Sequence, residues 1–154
     1  MTDSLSDTFP LPALRETARR PEVVTALRRF FDETDRQIAG YHPTCWNHGH
    51  CCQFGTYGHR LYVTALEVVM YLAGGYDLPV IEQDACPHAR DGRCQARTCR
   101  PLGCRVFYCD PAAREWQGPL TEERLAVLRD LHGQLGVPYF YADWMTVLRA
   151  LQRD

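Results

Sequence analysis

Thr64-Ala65-Leu66-Glu67-Val68-Val69-Met70-Tyr71-Leu72-Ala73-Gly74-Gly75 holds a helix start, body and stop within twelve residues. Thr followed three positions later by Glu is a capping box, in which hydroxyl and carboxylate each satisfy a backbone N–H that the first turn leaves without a partner. The apolar run from Val68 to Leu72 forms the body, and the glycine pair closes it. Arg60-Leu61-Tyr62-Val63, just ahead, reads as a short extended segment.

Outward from this centre the pattern stays helical. Pro21 suits the first position of a helix, where its missing N–H costs nothing. Val23, Val24, Leu27, Phe30, Phe31, Thr34 and Ile38 then recur at helical spacing, and Gly40 is a stop. Thr121 is placed to cap a helix with Leu125, Leu128, Leu131 and Leu135 on one face, ended by Gly136 and Pro138. A last helix from about Ala142 carries Trp144, Val147, Leu148 and Leu151, and Leu78-Pro79-Val80-Ile81 is a candidate strand. Residues 1–20, polar and with Pro10 and Pro12, read as a loosely held arm. The expected fold is α-rich α+β. One small domain over 21–154 packs helices around two cysteine-bearing loops, with at most a short β-hairpin.

The chain has 154 residues and 17.7 kDa, a formal charge of −2, and 45% hydrophobic residues, enough for one core. All 17 basic residues are arginine. Absence of lysine excludes a phosphate-loop lysine, a Schiff base and a lysine general base. The near-neutral balance argues against nucleic acid as a partner, since backbone binding needs excess positive charge. No segment approaches the roughly 18 apolar residues of a membrane span. The start is acidic and unlike a secretory signal, and the Arg19-Arg20 pair lacks a following apolar run. A cytoplasmic protein is expected, in which clustered thiols bind metal more often than they form disulfides.

Eight cysteines are present, all of them in two groups. The first is Cys45-Trp46-Asn47-His48-Gly49-His50-Cys51-Cys52, four donors (45, 48, 51 and 52) within eight residues. Two-residue gaps let a short loop wrap a metal, and Gly49 permits the tight backbone that wrapping demands. Adjacent Cys51 and Cys52 rarely reach one metal without strain, so the pair suggests two destinations. The second group holds Cys86 and Cys94 on either side of an Asp91-Gly92 turn, then Cys99, Cys104 and Cys109. Cys86 and Cys94 are placed to face each other across a hairpin. Since both groups must contribute, metal binding would tie the two halves together and add to the folding free energy.

These residues resemble the bacterial YkgJ-like cysteine-cluster family, described as a zinc- or iron-chelating domain. Its pattern is CxxCxxCC, a helix beginning Thr-x-x-Glu, then Cys, Asp-Gly-Arg-Cys and Arg-Pro-x-x-Cys-Arg. The match runs through Cys45, Gly49, Cys51 and Cys52, through Thr64 and Glu67, and through Cys86, Asp91-Gly92-Arg93-Cys94, Arg100-Pro101 and Cys104-Arg105. It covers roughly residues 45–110. His48 stands where the family has its second cysteine, and Cys99 falls outside the pattern. The resemblance implies a ligand pool of Cys45, His48, Cys51, Cys52, Cys86, Cys94, Cys104 and Cys109. The same kind of domain occurs in flagellin lysine methylases, where the resemblance favours an iron–sulfur cluster.

The chemistry of the surroundings leans the same way. Arg90, Arg93, Arg97, Arg100 and Arg105 lie along sixteen residues containing one acid. Guanidinium groups there would stabilise a thiolate-rich, negatively charged cluster. An iron–sulfur cluster, of the 4Fe–4S kind, is therefore the expected cofactor, with zinc the alternative. Three roles stay open: a redox or structural module, a zinc-binding interaction module, or an iron-dependent enzyme acting on a small molecule or a protein side chain. A protein partner or a small anionic substrate would fit these roles. Arg100 and Arg105 are expected behind the ligands, their forks bonded to backbone carbonyls or to acids such as Glu67 and Asp110. Glu67 reads most simply as a capping residue, Tyr62 and Tyr71 as packing around the site, and His42 and His132 as solvated. His88 reads as a polar or supporting residue.

Overall fold

The computed structural model describes residues 10–42, 61–75, 78, 81, 87–90, 93–94, 99–106 and 111–153. Its helices are α1 (Leu11–Thr17), α2 (Pro21–Ala39), α3 (Ala65–Ala73), α4 (Leu102–Val106), α5 (Arg114–Leu135) and α6 (Trp144–Arg153). Four short strands accompany them: β1 (Tyr62–Thr64), β2 (Ala89–Arg90), β3 (Arg93–Cys94) and β4 (Tyr141–Asp143). The α-rich α+β expectation holds. Among the described residues no helix is long and apolar enough to cross a membrane.

Helix α3 is the centre of the core. Every residue from Ala65 to Tyr71 is buried, as expected of a helix apolar on all sides. It packs against α1, α2 and β1. Helix α2 buries Val23, Leu27, Phe30, Phe31, Thr34 and Ile38, almost the whole stripe read from the sequence, and it ends at Gly40. Helix α6 contributes Trp144, Met145, Val147, Leu148, Ala150 and Leu151.

Three local expectations are corrected. Residues 11–17 are not a loose arm but helix α1, whose Leu11 and Leu14 lie one turn apart and are buried. Pro12 is tolerated because it falls in the first turn, where N–H groups have no intrahelical partner anyway.

Helix α5 begins at Arg114, and Thr121 lies inside it. The Thr121 hydroxyl donates to the Gln117 carbonyl at 2.6 Å rather than capping a first turn. Pro119 sits within this helix, where loss of one N–H and a ring clash cost about 3 kcal/mol or more. Around it Leu120 is buried and Trp116 stacks on Tyr41, with ring centroids 4.5 Å apart. The fully buried stripe is Leu120, Arg124, Leu128 and His132; of the expected leucine face Leu128 belongs to it, and Leu125, Leu131 and Leu135 are partly buried against the core beside it.

The third correction concerns the last helix, which starts at Trp144. The residues before it form β4, antiparallel to β1, with Tyr62 opposite Asp143, Val63 opposite Ala142 and Thr64 opposite Tyr141. This ladder joins segments far apart in sequence and comes in addition to the expected hairpin. That hairpin is present as β2–β3 around Asp91-Gly92, with Ala89 opposite Cys94 and Arg90 opposite Arg93. In this register Cys94 faces Ala89 rather than Cys86, which lies outside the described residues. Of the candidate strand at 78–81, Leu78 and Ile81 are described, and neither is in a strand.

Candidate functional site

A buried carboxylate ties the two central motifs together. Glu67 in the first turn of α3 is 1% exposed. One oxygen accepts the Thr64 N–H, the carboxylate half of the capping box. The other accepts the Leu102 N–H at 2.8 Å, at the start of α4. The Thr64 hydroxyl is the weaker half of the box, facing the first turn without a hydrogen bond of good geometry. Burial pushes the Glu67 carboxyl up to about 7, against the opposing pull of the two N–H donors and of the Arg105 charge. Glu67 is thus more than a cap, since it binds Thr-x-x-Glu to Arg-Pro-x-x-Cys-Arg.

Arg105 fixes the other end of the short helix α4. It is 4% exposed, and its Nε donates to the Arg100 carbonyl at 2.8 Å while its terminal nitrogen meets Asp35 of α2 at 2.8 Å. Its guanidinium also lies 4.4 Å from the centroid of the Phe31 ring. The expected fork to a backbone carbonyl is present, but the acid is Asp35 rather than Glu67. Asp110 lies outside the described residues. Arg100 donates to the Cys104 carbonyl at 3.5 Å. Both arginines therefore hold the backbone that carries Cys104.

Cys104 is half-buried and lines a half-open groove of about 440 Å³. Leu61, Tyr62, Leu102, Val106, Leu125 and Tyr141 supply its apolar walls. Its charged lining, among the described residues, is Glu67 and Glu122. Tyr62 and Tyr141 stack at one side, 5.5 Å between centroids, one from each strand of the β1–β4 ladder. Gly103 in the same wall lets Leu61 approach closely, for a β-carbon there would clash with Leu61 Cδ1.

One turn further along α3 from Glu67, Tyr71 Oη and His88 Nε2 are hydrogen-bonded at 2.6 Å, both residues being buried. His88 directly precedes β2, so this bond fastens the hairpin that carries Cys94. Tyr71 also meets the Trp144 ring edge-on at 5.1 Å. Cys99 is a buried core residue.

His132 departs most from its expected place. Instead of being solvated it is 2% exposed. Its Nε2 accepts the Leu66 N–H at 3.1 Å, which leaves the proton on Nδ1 to be donated to the Leu128 carbonyl at 2.8 Å. Burial pulls its pKa below the usual imidazole value. Arg124, one of the basic residues given no role from sequence, donates to Thr34 Oγ1 at 3.0 Å and to the Phe30 carbonyl at 3.3 Å. The two residues stand eight apart, with Leu128 midway between them on the buried face of α5, a spacing visible in the sequence once the helix is known to run through 124 and 132.

Of the expected donors, Cys104 has a described side chain and Cys94 a described backbone. Cys45, His48, Cys51, Cys52, Cys86 and Cys109 lie outside the described residues. Among the described residues no three His, Cys, Asp or Glu side chains gather as a metal site. The thiolate-rich donor set itself suits a soft or borderline metal, zinc or an iron–sulfur cluster. Comparison with protein-family models, with curated proteins and with solved structures found no match for the chain.

Proposed function

We propose that the chain is a YkgJ-like metal-binding protein whose two cysteine groups hold an iron–sulfur cluster in a redox or structural role. Ligands are drawn from Cys45, His48, Cys51, Cys52, Cys86, Cys94, Cys104 and Cys109, and zinc is the alternative metal for the same donors. The observation carrying this reading is the Glu67–Leu102 hydrogen bond. With Arg105 closing the other end, it holds the turn bearing Cys104 against the buried helix α3. Polar groups buried at such cost are well used where a ligand must be presented in one orientation. Reduced thiols belong to a cytoplasmic setting.

The enzyme reading has one specific observation in its favour, the groove beside Cys104. It would require an iron with an open coordination position facing that groove. The acidic lining argues against an anionic substrate there and for a neutral or cationic one.

Anaerobic purification followed by iron, zinc and acid-labile sulfide analysis tests the proposal. Brown protein with iron and sulfide in equal amounts is the expected result. Colourless protein with stoichiometric zinc replaces the cluster by the alternative, and neither metal overturns both. Cys51→Ser and Cys52→Ser should each lose metal.

A further inference from the structure

Glu67 and Tyr71 stand four residues apart on α3, so they share a face with β-carbons about 5–6 Å apart. Glu67 grips the Leu102 N–H and with it the Cys104 turn. Tyr71 grips His88 and with it the hairpin in which Cys94 is opposite Ala89. We propose that α3 is a two-point template whose Glu67 and Tyr71 fix the spacing between the Cys94 hairpin and the Cys104 turn before any metal arrives. The two residues are positioning residues, and the metal consequence rests on the function proposed above.

Physical reasons favour this role over simple core packing. The helix is buried along its whole first two turns, so it is a poor place for a carboxylate and a hydroxyl unless each has a partner. Each partner belongs to a different cysteine-bearing segment, and neither of those segments has much regular structure of its own. Helix α4 has five residues and each hairpin strand has two. Such short elements are marginal alone and take their position from what they are bonded to. The Trp144 ring against Tyr71 keeps the phenol from turning away from His88. Preforming part of a ligand set removes ordering entropy from the binding step.

The test uses the full chain, with and without metal. Hydrogen exchange of apo protein is followed in peptides spanning 87–94 and 99–106. Tyr71→Phe keeps the ring and its contact with Trp144 and removes only the hydroxyl, and it should speed exchange at 87–94 at least fivefold while leaving 99–106 unchanged. Glu67→Met, similar in length but without an acceptor, should do the reverse, with Glu67→Gln as the milder variant should Met prevent folding. Release to a chelator of the metal carried on anaerobic purification should quicken about tenfold or more in each variant. The template is overturned if Tyr71→Phe and His88→Asn leave 87–94 unchanged, or if every variant loosens both segments alike. Wild-type protein without metal would remove the proposed function, while the exchange pattern would still decide the template.

Discussion

The imidazole of His132 in α5 accepts the backbone N–H of Leu66 in the first turn of α3, 66 positions away in sequence, at 3.1 Å. A helix start normally finds such acceptors in its own N-terminal residues. Here a neighbouring helix supplies one, and Glu67 supplies another to the Thr64 N–H. The start of α3 is therefore assembled by tertiary contact as much as by its local capping box.

Replacing His132 by Phe keeps the ring and the edge-on contact with Tyr139, whose centroid is 5.0 Å away, but leaves the Leu66 N–H buried without an acceptor. A loss of about 1–3 kcal/mol is expected. Urea unfolding should show a lower midpoint with an unchanged slope. A midpoint equal to wild type would mean that the bond contributes nothing.

The same contact makes stability depend on acid. The His132 pKa is lowered in the folded protein, so on acidification the unfolded chain takes up the proton first. The contribution is complete above the ordinary value of 6.5 and is lost as pH falls through the lower folded value. The His132→Phe variant should lack this acid-side loss, measured as the change in unfolding free energy between pH 7 and pH 5.

Glu67 has the opposite sign. Its folded pKa is raised from 4.5 to about 7, so the folded protein holds the proton longer. Its contribution is complete below about 4.5 and is lost as pH rises through about 7. Glu67→Gln should flatten the alkaline side of the stability profile. A variant with the wild-type profile would rule out the raised pKa.

Gly103→Ala places a methyl against Leu61 Cδ1, the far end of a flexible side chain. The helix gains about 0.5–1 kcal/mol of intrinsic propensity from alanine, whereas overpacking costs about 1–3 kcal/mol. A net loss of about 1 kcal/mol is expected in thermal or urea unfolding. A double-mutant cycle with Leu61→Ala should recover part of it, and strict additivity would show that the two side chains do not meet.

Arg105→Lys keeps the charge but not the fork that reaches both the Arg100 carbonyl and Asp35. Leaving the partly buried carbonyl without its donor should cost about 1–2 kcal/mol in urea unfolding. Asp35→Asn, at a side chain 47% exposed, should cost less than 1 kcal/mol. Equal losses for the two variants would show that the ion pair rather than the carbonyl bond is what matters.

What could be read along the chain is whatever depends on neighbours within a turn or two. The Thr64–Glu67 box, the α2 stripe from Val23 to Ile38, the closing Gly136 at φ 70° and the Asp-Gly hairpin all belong to this class. Each follows from helical spacing, from the cost of an unpartnered N–H, or from glycine's freedom at positive φ. The candidate site was legible as an ordered pattern of cysteines and as a Thr-x-x-Glu and Arg-Pro-x-x-Cys-Arg pair without any stated link. Helix α1 was missed because two leucines among prolines make a weak stripe. The start of α5 was missed because Thr121 looks like a cap when only local spacing is weighed.

Composition and short-range periodicity are enough to establish the helical class, the core helix α3 and the residue types available for metal chemistry. Packing of the chain is what brings Glu67 to Leu102, Arg105 to Asp35, β1 to β4 and the buried His132 to Leu66. Each of these joins partners distant along the chain. A buried polar group accepts whichever donor or acceptor the packed core brings to it, and one sequence does not state which that will be.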